Sequence, residues 1–148
     1  MQHLVDLMLK VNADAYSFEA ANVRHEHEWK LWKDIKLPAG KVIMPGVVTH
    51  STNVIEHPEV VADRIMNFVG AVGADAVVAS TDCGLGGRVH PQVAWAKLKT
   101  LAQGAALASK RLRAASARRS APAKAKAKKA PARKAKAARP ARRAGGRR

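Results

Sequence analysis

A single cysteine stands in the segment Ser80-Thr81-Asp82-Cys83-Gly84-Leu85-Gly86-Gly87-Arg88. The apolar run 74–79 leads into it, glycines follow, and a helical pattern opens at Pro91. The order is strand, sharp turn, helix. In parallel α/β folds the carboxyl end of a strand is where ligands and metals sit. A lone thiol there is a nucleophile, a metal ligand or a small buried hydrophobe, and the segment by itself leaves the three open. Two more strand candidates end in groups with chemistry of their own. Glu19 stands near the end of 15–20, and His50 follows 41–48 and precedes the polar turn 49–53. A carboxylate at that level needs a partner, which is a lysine, a metal or a substrate. A histidine there is a general acid or base, a ligand, or a turn residue bonded to backbone. Together carboxylate, imidazole and thiolate form the ligand and acid–base set of a zinc site that activates a thiol.

Other groups carry less. His25, Glu26, His27 and Glu28 crowd together, but zinc proteases place two histidines four apart on one helical face. Residues two apart on a helix point away from each other, so this reads as a solvated or capping helix start. His57, just before Pro58, reads as a helix-start residue. The turn 84–88 resembles a phosphate cradle only in its glycines.

The elements that must position Glu19, His50 and Cys83 alternate. Leu4, Leu7, Met8 and Val11 put an amphipathic helix over 2–12. A strand follows over 15–20. Trp29 and Trp32, with Leu31 and Ile35, give a helix an apolar stripe over 25–35, ended by Pro38 and Gly40. The run 41–48 is a strand of the buried, continuously apolar kind, with an irregularity marked by Pro45 and Gly46. A helix spans 58–72 with a stripe of Val61, Ile65, Phe68 and Val72. The third strand is 74–80, and its helix carries Val93, Trp95, Leu98, Leu101 and Leu107. Strand starts recurring about every thirty residues indicate βα units and a parallel sheet.

Charge divides the 148 residues in two. Residues 1–109 hold 10 basic against 11 acidic residues, a net of −1, while 110–148 hold the other 17 basic residues and no acid. Beyond Leu112 no large apolar residue remains. Such a segment cannot offset the entropy of ordering, so 110–148 is expected to be a disordered Lys/Arg/Ala/Pro-rich tail and 1–109 the folded body. Polybasic tails bind phosphate backbones without sequence preference, so nucleic acid is a candidate partner. A single cysteine excludes an internal disulfide framework and suits a reducing compartment, the cytoplasm. No stretch of about twenty apolar residues predicts a membrane span.

Three ordered blocks, Ala13-Asp14-Ala15-Tyr16-Ser17-Phe18-Glu19, Pro45-Gly46-Val47-Val48-Thr49-His50-Ser51 and Thr81-Asp82-Cys83-Gly84-Leu85, resemble the carboxyl-terminal catalytic barrel of cobalamin-independent methionine synthase. The likeness extends to single-barrel relatives such as the epoxyalkane–coenzyme M transferase, and covers about residues 3–109. It implies a (β/α)8 barrel carrying zinc at its carboxyl face, of which this chain resembles the sixth to eighth strands. The implied chemistry is methyl transfer from a methyl-tetrahydrofolate to a thiol such as homocysteine, held by zinc as thiolate. By position, Glu19 and Cys83 match metal ligands and His50 the family's proton donor. A further His-x-Cys ligand pair is implied from a strand ahead of 2–12, so on this likeness the chain is a carboxyl-terminal fragment of the barrel. Two other readings compete: non-specific nucleic-acid binding through the tail, and an α/β scaffold with Cys83 buried and Glu19 paired to a lysine.

Overall fold

The computed structural model describes residues 3–120. The elements run α1 (Val5–Met8), β1 (Ala15–Phe18), a 3-10 segment (Glu28–Lys33), β2 (Val42–Val48), α2 (Pro58–Val72), a 3-10 turn (Ala74–Ala76), β3 (Ser80–Thr81) and α3 (Pro91–Ser120). Among the described residues the sheet has three strands in the order β1-β2-β3. Both pairings are parallel, with Ala15 opposite Val42 and Gly46 opposite Ser80. This is an α/β architecture with a small parallel sheet, and each connection between strands carries helix, as parallel neighbours require.

β2 is the central strand, and it is buried almost along its whole length, as expected of a strand covered on both faces. Val47 and Val48 pack with Val61, Ala62 and Ile65 of α2 and Ala108 of α3. Ile43 joins Val5, Ala20, Trp32 and Phe68 in a second core. There Phe18 stacks on Trp32 with ring centroids 5.2 Å apart and meets Phe68 at 59°. Each fully buried aliphatic or aromatic side chain contributes roughly 1.5–3 kcal/mol. The register slips between Gly46 and Val48, at the irregularity that Pro45 and Gly46 mark in the sequence.

α2 begins and ends as its sequence signals dictate. Pro58 occupies its first turn, His57 caps it by accepting from the Glu59 amide at 3.2 Å, and Gly73 closes it at φ 96°. Elsewhere local pattern is overridden. The helix expected over 2–12 shortens to Val5–Met8; Leu4, Leu7 and Val11 of its apolar stripe stay exposed. The helix expected over 25–35 is a 3-10 segment, with Lys30 bonded to His27 and Asp34 to Leu31. In that geometry side chains three apart eclipse, which brings Trp29, Trp32 and Ile35 onto one side. The strand expected over 74–80 is only Ser80–Thr81, preceded by a turn and one bridge from Val77 to Ile43.

α3 departs most from expectation. The side it turns to the core carries Lys97, Thr100, Gly104 and Ala108, while Trp95 is 74% exposed. Small residues win this face because α2 passes close: a Cβ on Gly104 would lie 2.4 Å from Cγ1 of Val61. The helix also continues past 110, where disorder was expected. Arg111 bonds Glu59 and Asp63 of α2, and Ala, Arg and Lys are strong helix formers. Residues 121–148 of the expected disordered tail, which hold most of its charge, lie outside the described residues.

Gly104→Ala tests this contact. Helix propensity alone would stabilise the chain by about 1 kcal/mol; the clash with Val61 costs roughly 1–3 kcal/mol. The expected outcome in urea unfolding is a net loss, and Val61→Ala does not restore it, because the Cβ it keeps would lie 2.5 Å from the new one. Stabilisation by Gly104→Ala would show that α2 and α3 are free to separate.

Candidate metal centre

The carboxyl ends of the three strands converge. Glu19 directly follows β1, His50 lies two residues beyond β2, and Cys83 lies two beyond β3. One ligating atom from each, a carboxylate oxygen, an imidazole nitrogen and the sulfur, lies within 4.8 Å of the others. Glu19 and Cys83 touch: the thiol donates to Glu19 Oε1 at 2.8 Å. The scaffold alternative would have gained weight from a buried Cys83 and a Glu19 paired with lysine; Cys83 is half-buried and its partner is Glu19 itself.

Asp82 assembles this arrangement, and its role was missed in the sequence although it adjoins Cys83. Its buried carboxylate accepts the backbone amides of Ala20 and Ala21, both at 2.8 Å, through Oδ1. Its Oδ2 accepts from the Asn22 side chain at 3.2 Å, and the same Asn22 amide group donates to Glu19 Oε2 at 2.8 Å. The Asp82 amide in turn donates to Val48 O at 2.9 Å. One residue thus fixes the chain just beyond β1 against the ends of β2 and β3. Gly46 makes room for it, since a Cβ there would lie 2.4 Å from Asp82 Oδ1.

His50 is held differently. Its Nε2 lies 3.4 Å from Arg88 Nη1, and its Nδ1 is buried with no hydrogen-bond partner among the described residues. The residue before it, Thr49, is clasped through its amide by Glu56 Oε1 at 2.8 Å. In the crowd at 25–28, expected to be a solvated or capping helix start, His25 Nδ1 pairs with Glu28 Oε2 at 2.9 Å and Glu28 is buried.

The Cys83 hydrogen bond holds the Glu19 carboxyl below its ordinary range; burial opposes this, while the nearby His50 and Asn22 assist. The same bond, with burial and the Glu19 charge, pushes the Cys83 thiol above its ordinary range, against the pull of Arg88. The pair therefore rests as carboxylate and thiol.

The donors suit a divalent transition ion of the zinc type. Nitrogen, oxygen and sulfur ligands at about 2.0–2.3 Å from a tetrahedral centre stand roughly 3.3–3.8 Å apart, a span the cluster accommodates. The orphaned, buried Nδ1 is a polar ring nitrogen that lacks a partner among the described residues. All three are donor types that zinc accepts, gathered at one end of the sheet.

Residues 1–107 match the family model described as the catalytic domain of cobalamin-independent synthase. Among solved structures, the chain is similar to a B12-independent methionine synthase from Shewanella sp. W3-18-1 in complex with selenomethionine. The two are 32% identical with a TM-score of 0.63, over 73% of this chain and 30% of that one. The chain therefore spans less than a third of that relative's length. No curated protein matches.

The thiol–carboxylate bond predicts a pH signature in the metal-free chain. A lowered carboxyl contributes stability above its unfolded value and loses it as pH falls through its folded value; a raised thiol contributes below its unfolded value and loses it as pH rises. The pair thus supports the fold between these limits. Iodoacetamide should alkylate Cys83 slowly at about pH 8, and Glu19→Gln, by removing the charge, should speed it and shift the profile to lower pH. An unchanged profile would show that the two groups are not coupled in solution.

Proposed function

The chain belongs to the cobalamin-independent methionine synthase family, and from that premise we propose that it serves zinc-dependent methyl transfer from a methyl-tetrahydrofolate to a thiol such as homocysteine. The three strands are read as the sixth to eighth of a (β/α)8 catalytic barrel, with 1–109 as its carboxyl-terminal part. The observation that carries the proposal is the meeting of Glu19, His50 and Cys83 within 4.8 Å at the carboxyl ends of adjacent parallel strands. In such a barrel the carboxyl face holds the chemistry. The Shewanella relative binds selenomethionine, a selenium analogue of methionine, which supports a sulfur-containing amino acid as the ligand class.

Glu19 and Cys83 would hold the ion, Cys83 as thiolate after giving up its proton. Zinc, when bound, supplies a Lewis acid that favours the thiolate form of a substrate thiol. Asp82 and Asn22 fix the direction of Glu19 through the bonds described above, as outer partners of metal ligands do. His50, beside the donors with one nitrogen unpartnered, is the group placed to pass a proton in the transfer. Arg88, close to His50, adds positive charge at the mouth of the cluster. Among the described residues no helix is long and apolar enough to cross a membrane, and the cytoplasm, where a lone thiol stays reduced, is the proposed location.

Zinc titration of the purified chain under reducing conditions tests the reading. Full structural zinc sites in peptides bind with about 10–16 kcal/mol; an open site of fewer protein donors should bind more weakly and yield its ion to a mild chelator. Cys83→Ser and Glu19→Gln should each lower the affinity at least about tenfold. Methyl transfer by the chain alone is expected to be undetectable as methionine formed from homocysteine. Zinc affinity no better than that of the Cys83→Ser, Glu19→Gln double variant would remove the metal centre from the proposal.

A further inference from the structure

We propose that Lys97 and Glu56 are positioning residues for His50, forming a buried clamp that links α3 to the chain segment beyond β2. The inference rests on the functional reading above for its purpose, but its geometry stands on its own.

The Glu56 side chain is 8% exposed and divides its two oxygens. Oε1 accepts the Thr49 amide at 2.8 Å, and Oε2 accepts from Lys97 Nζ at 2.8 Å. The Lys97 side chain is fully buried, and its ammonium also donates to Val54 O. Arg64 of α2 stands 3.9 Å from Glu56 Oε1 and donates to Val47 O at 3.1 Å. The end of β2 and the segment 49–56 are thereby tied to α2 and α3. Thr49 is fixed a second time, by its hydroxyl, which lies 2.9 Å from Ser51 Oγ and accepts the Ser51 amide at 3.1 Å.

His50 needs such support because its ring has little of its own. Its contact with Arg88 is long at 3.4 Å and its Nδ1 has no partner. Its place beside Glu19 and Cys83 is therefore set mainly by its backbone, and the Thr49 amide is the adjoining point that Glu56 clasps. Net stability is a poor explanation for the clamp, since replacing a buried ion pair with apolar residues of similar volume is often neutral or stabilising. An apolar pair of similar volume at 56 and 97 would fill the interface without charges to satisfy. What the pair adds is a directed bond to a backbone group beside His50.

The experiment uses the full chain, isotope-labelled and metal-free, with Lys97→Met to keep volume and Glu56→Gln to leave one side-chain acceptor oxygen. Two NMR quantities are read: hydrogen exchange of the Thr49 amide, and nuclear Overhauser contacts from the His50 ring to Cys83. In Lys97→Met, exchange at Thr49 should quicken at least tenfold and the ring contacts fade, while amides in the α2 core keep their protection. Glu56→Gln should show the same changes and, if Lys97→Met does not fold, decides the matter alone. Cobalt(II) titration gives a second reading: both variants should bind the ion within about twofold of the wild type, since Glu19 and Cys83 keep their own partners, and a larger loss would show that the change spreads beyond His50 and overturn the clamp. Folded variants with unchanged Thr49 exchange and unchanged His50 contacts would overturn the clamp. A wild-type chain that binds no cobalt would instead overturn the metal reading and leave the NMR result to decide the clamp.

Discussion

The carboxylate of Asp82 is the constraint on which the rest of this structure hangs. It is buried and bonds to two backbone amides more than sixty residues away in sequence. Those amides, of Ala20 and Ala21, lie just beyond β1, where the chain leaves the sheet and its N–H groups have no strand to pair with. A buried amide left unpaired costs about 1–3 kcal/mol, so one side chain settles two such debts. Asp82 also donates its own amide to Val48. The ends of all three strands are thus bonded to one residue, and the functional groups of β1 and β3 sit immediately beside it.

That anchor explains why the central strand is irregular. β3 can bring Asp82 over β2 only if nothing projects from position 46, where any Cβ would collide with the Asp82 backbone and side chain. Proline at 45 and glycine at 46 are poor choices for a central strand on propensity alone. They are tolerated because the register slip at Gly46 and Val48 is what lets β3 come close. Local propensity and the needs of the site conflict here, and the site prevails, as is common where a fold carries function.

The positions of Glu19, His50 and Cys83 were legible in the sequence because each stands where a strand pattern breaks into polar or glycine-rich residues. The βα order was legible for the same reason, and α2 because proline, histidine and glycine punctuate it. The supporting residues were not. Nothing in the sequence pattern singles out Glu56 or Lys97, since only tertiary structure reveals that α3 turns Lys97 inward and Trp95 outward. The large residues of α3 told only part of its inner side: Leu101 and Leu107 pack against the core, Trp95 and Leu98 lie exposed, and α2 passes too close to Gly104 for bulk to fit there. β3 was overdrawn for a related reason. An apolar run specifies burial, not pairing, and 74–79 is satisfied by a turn and one bridge.

The hydrogen bond between Cys83 and Glu19 would also govern when the proposed centre takes a metal. A thiol must lose its proton to become a ligand, and this thiol's proton is held by the carboxylate that would be its fellow ligand. The carboxylate is already charged and aimed by Asn22, so loading the site demands one deprotonation and little rearrangement. A divalent ion would compensate the charges that now keep the thiol protonated, turning the repulsion between carboxylate and thiolate into joint attraction. The geometry that raises the thiol's pKa in the metal-free chain is therefore the same geometry that favours the ion once the proton leaves. Asp82, by fixing the close approach of β1 and β3, sets both.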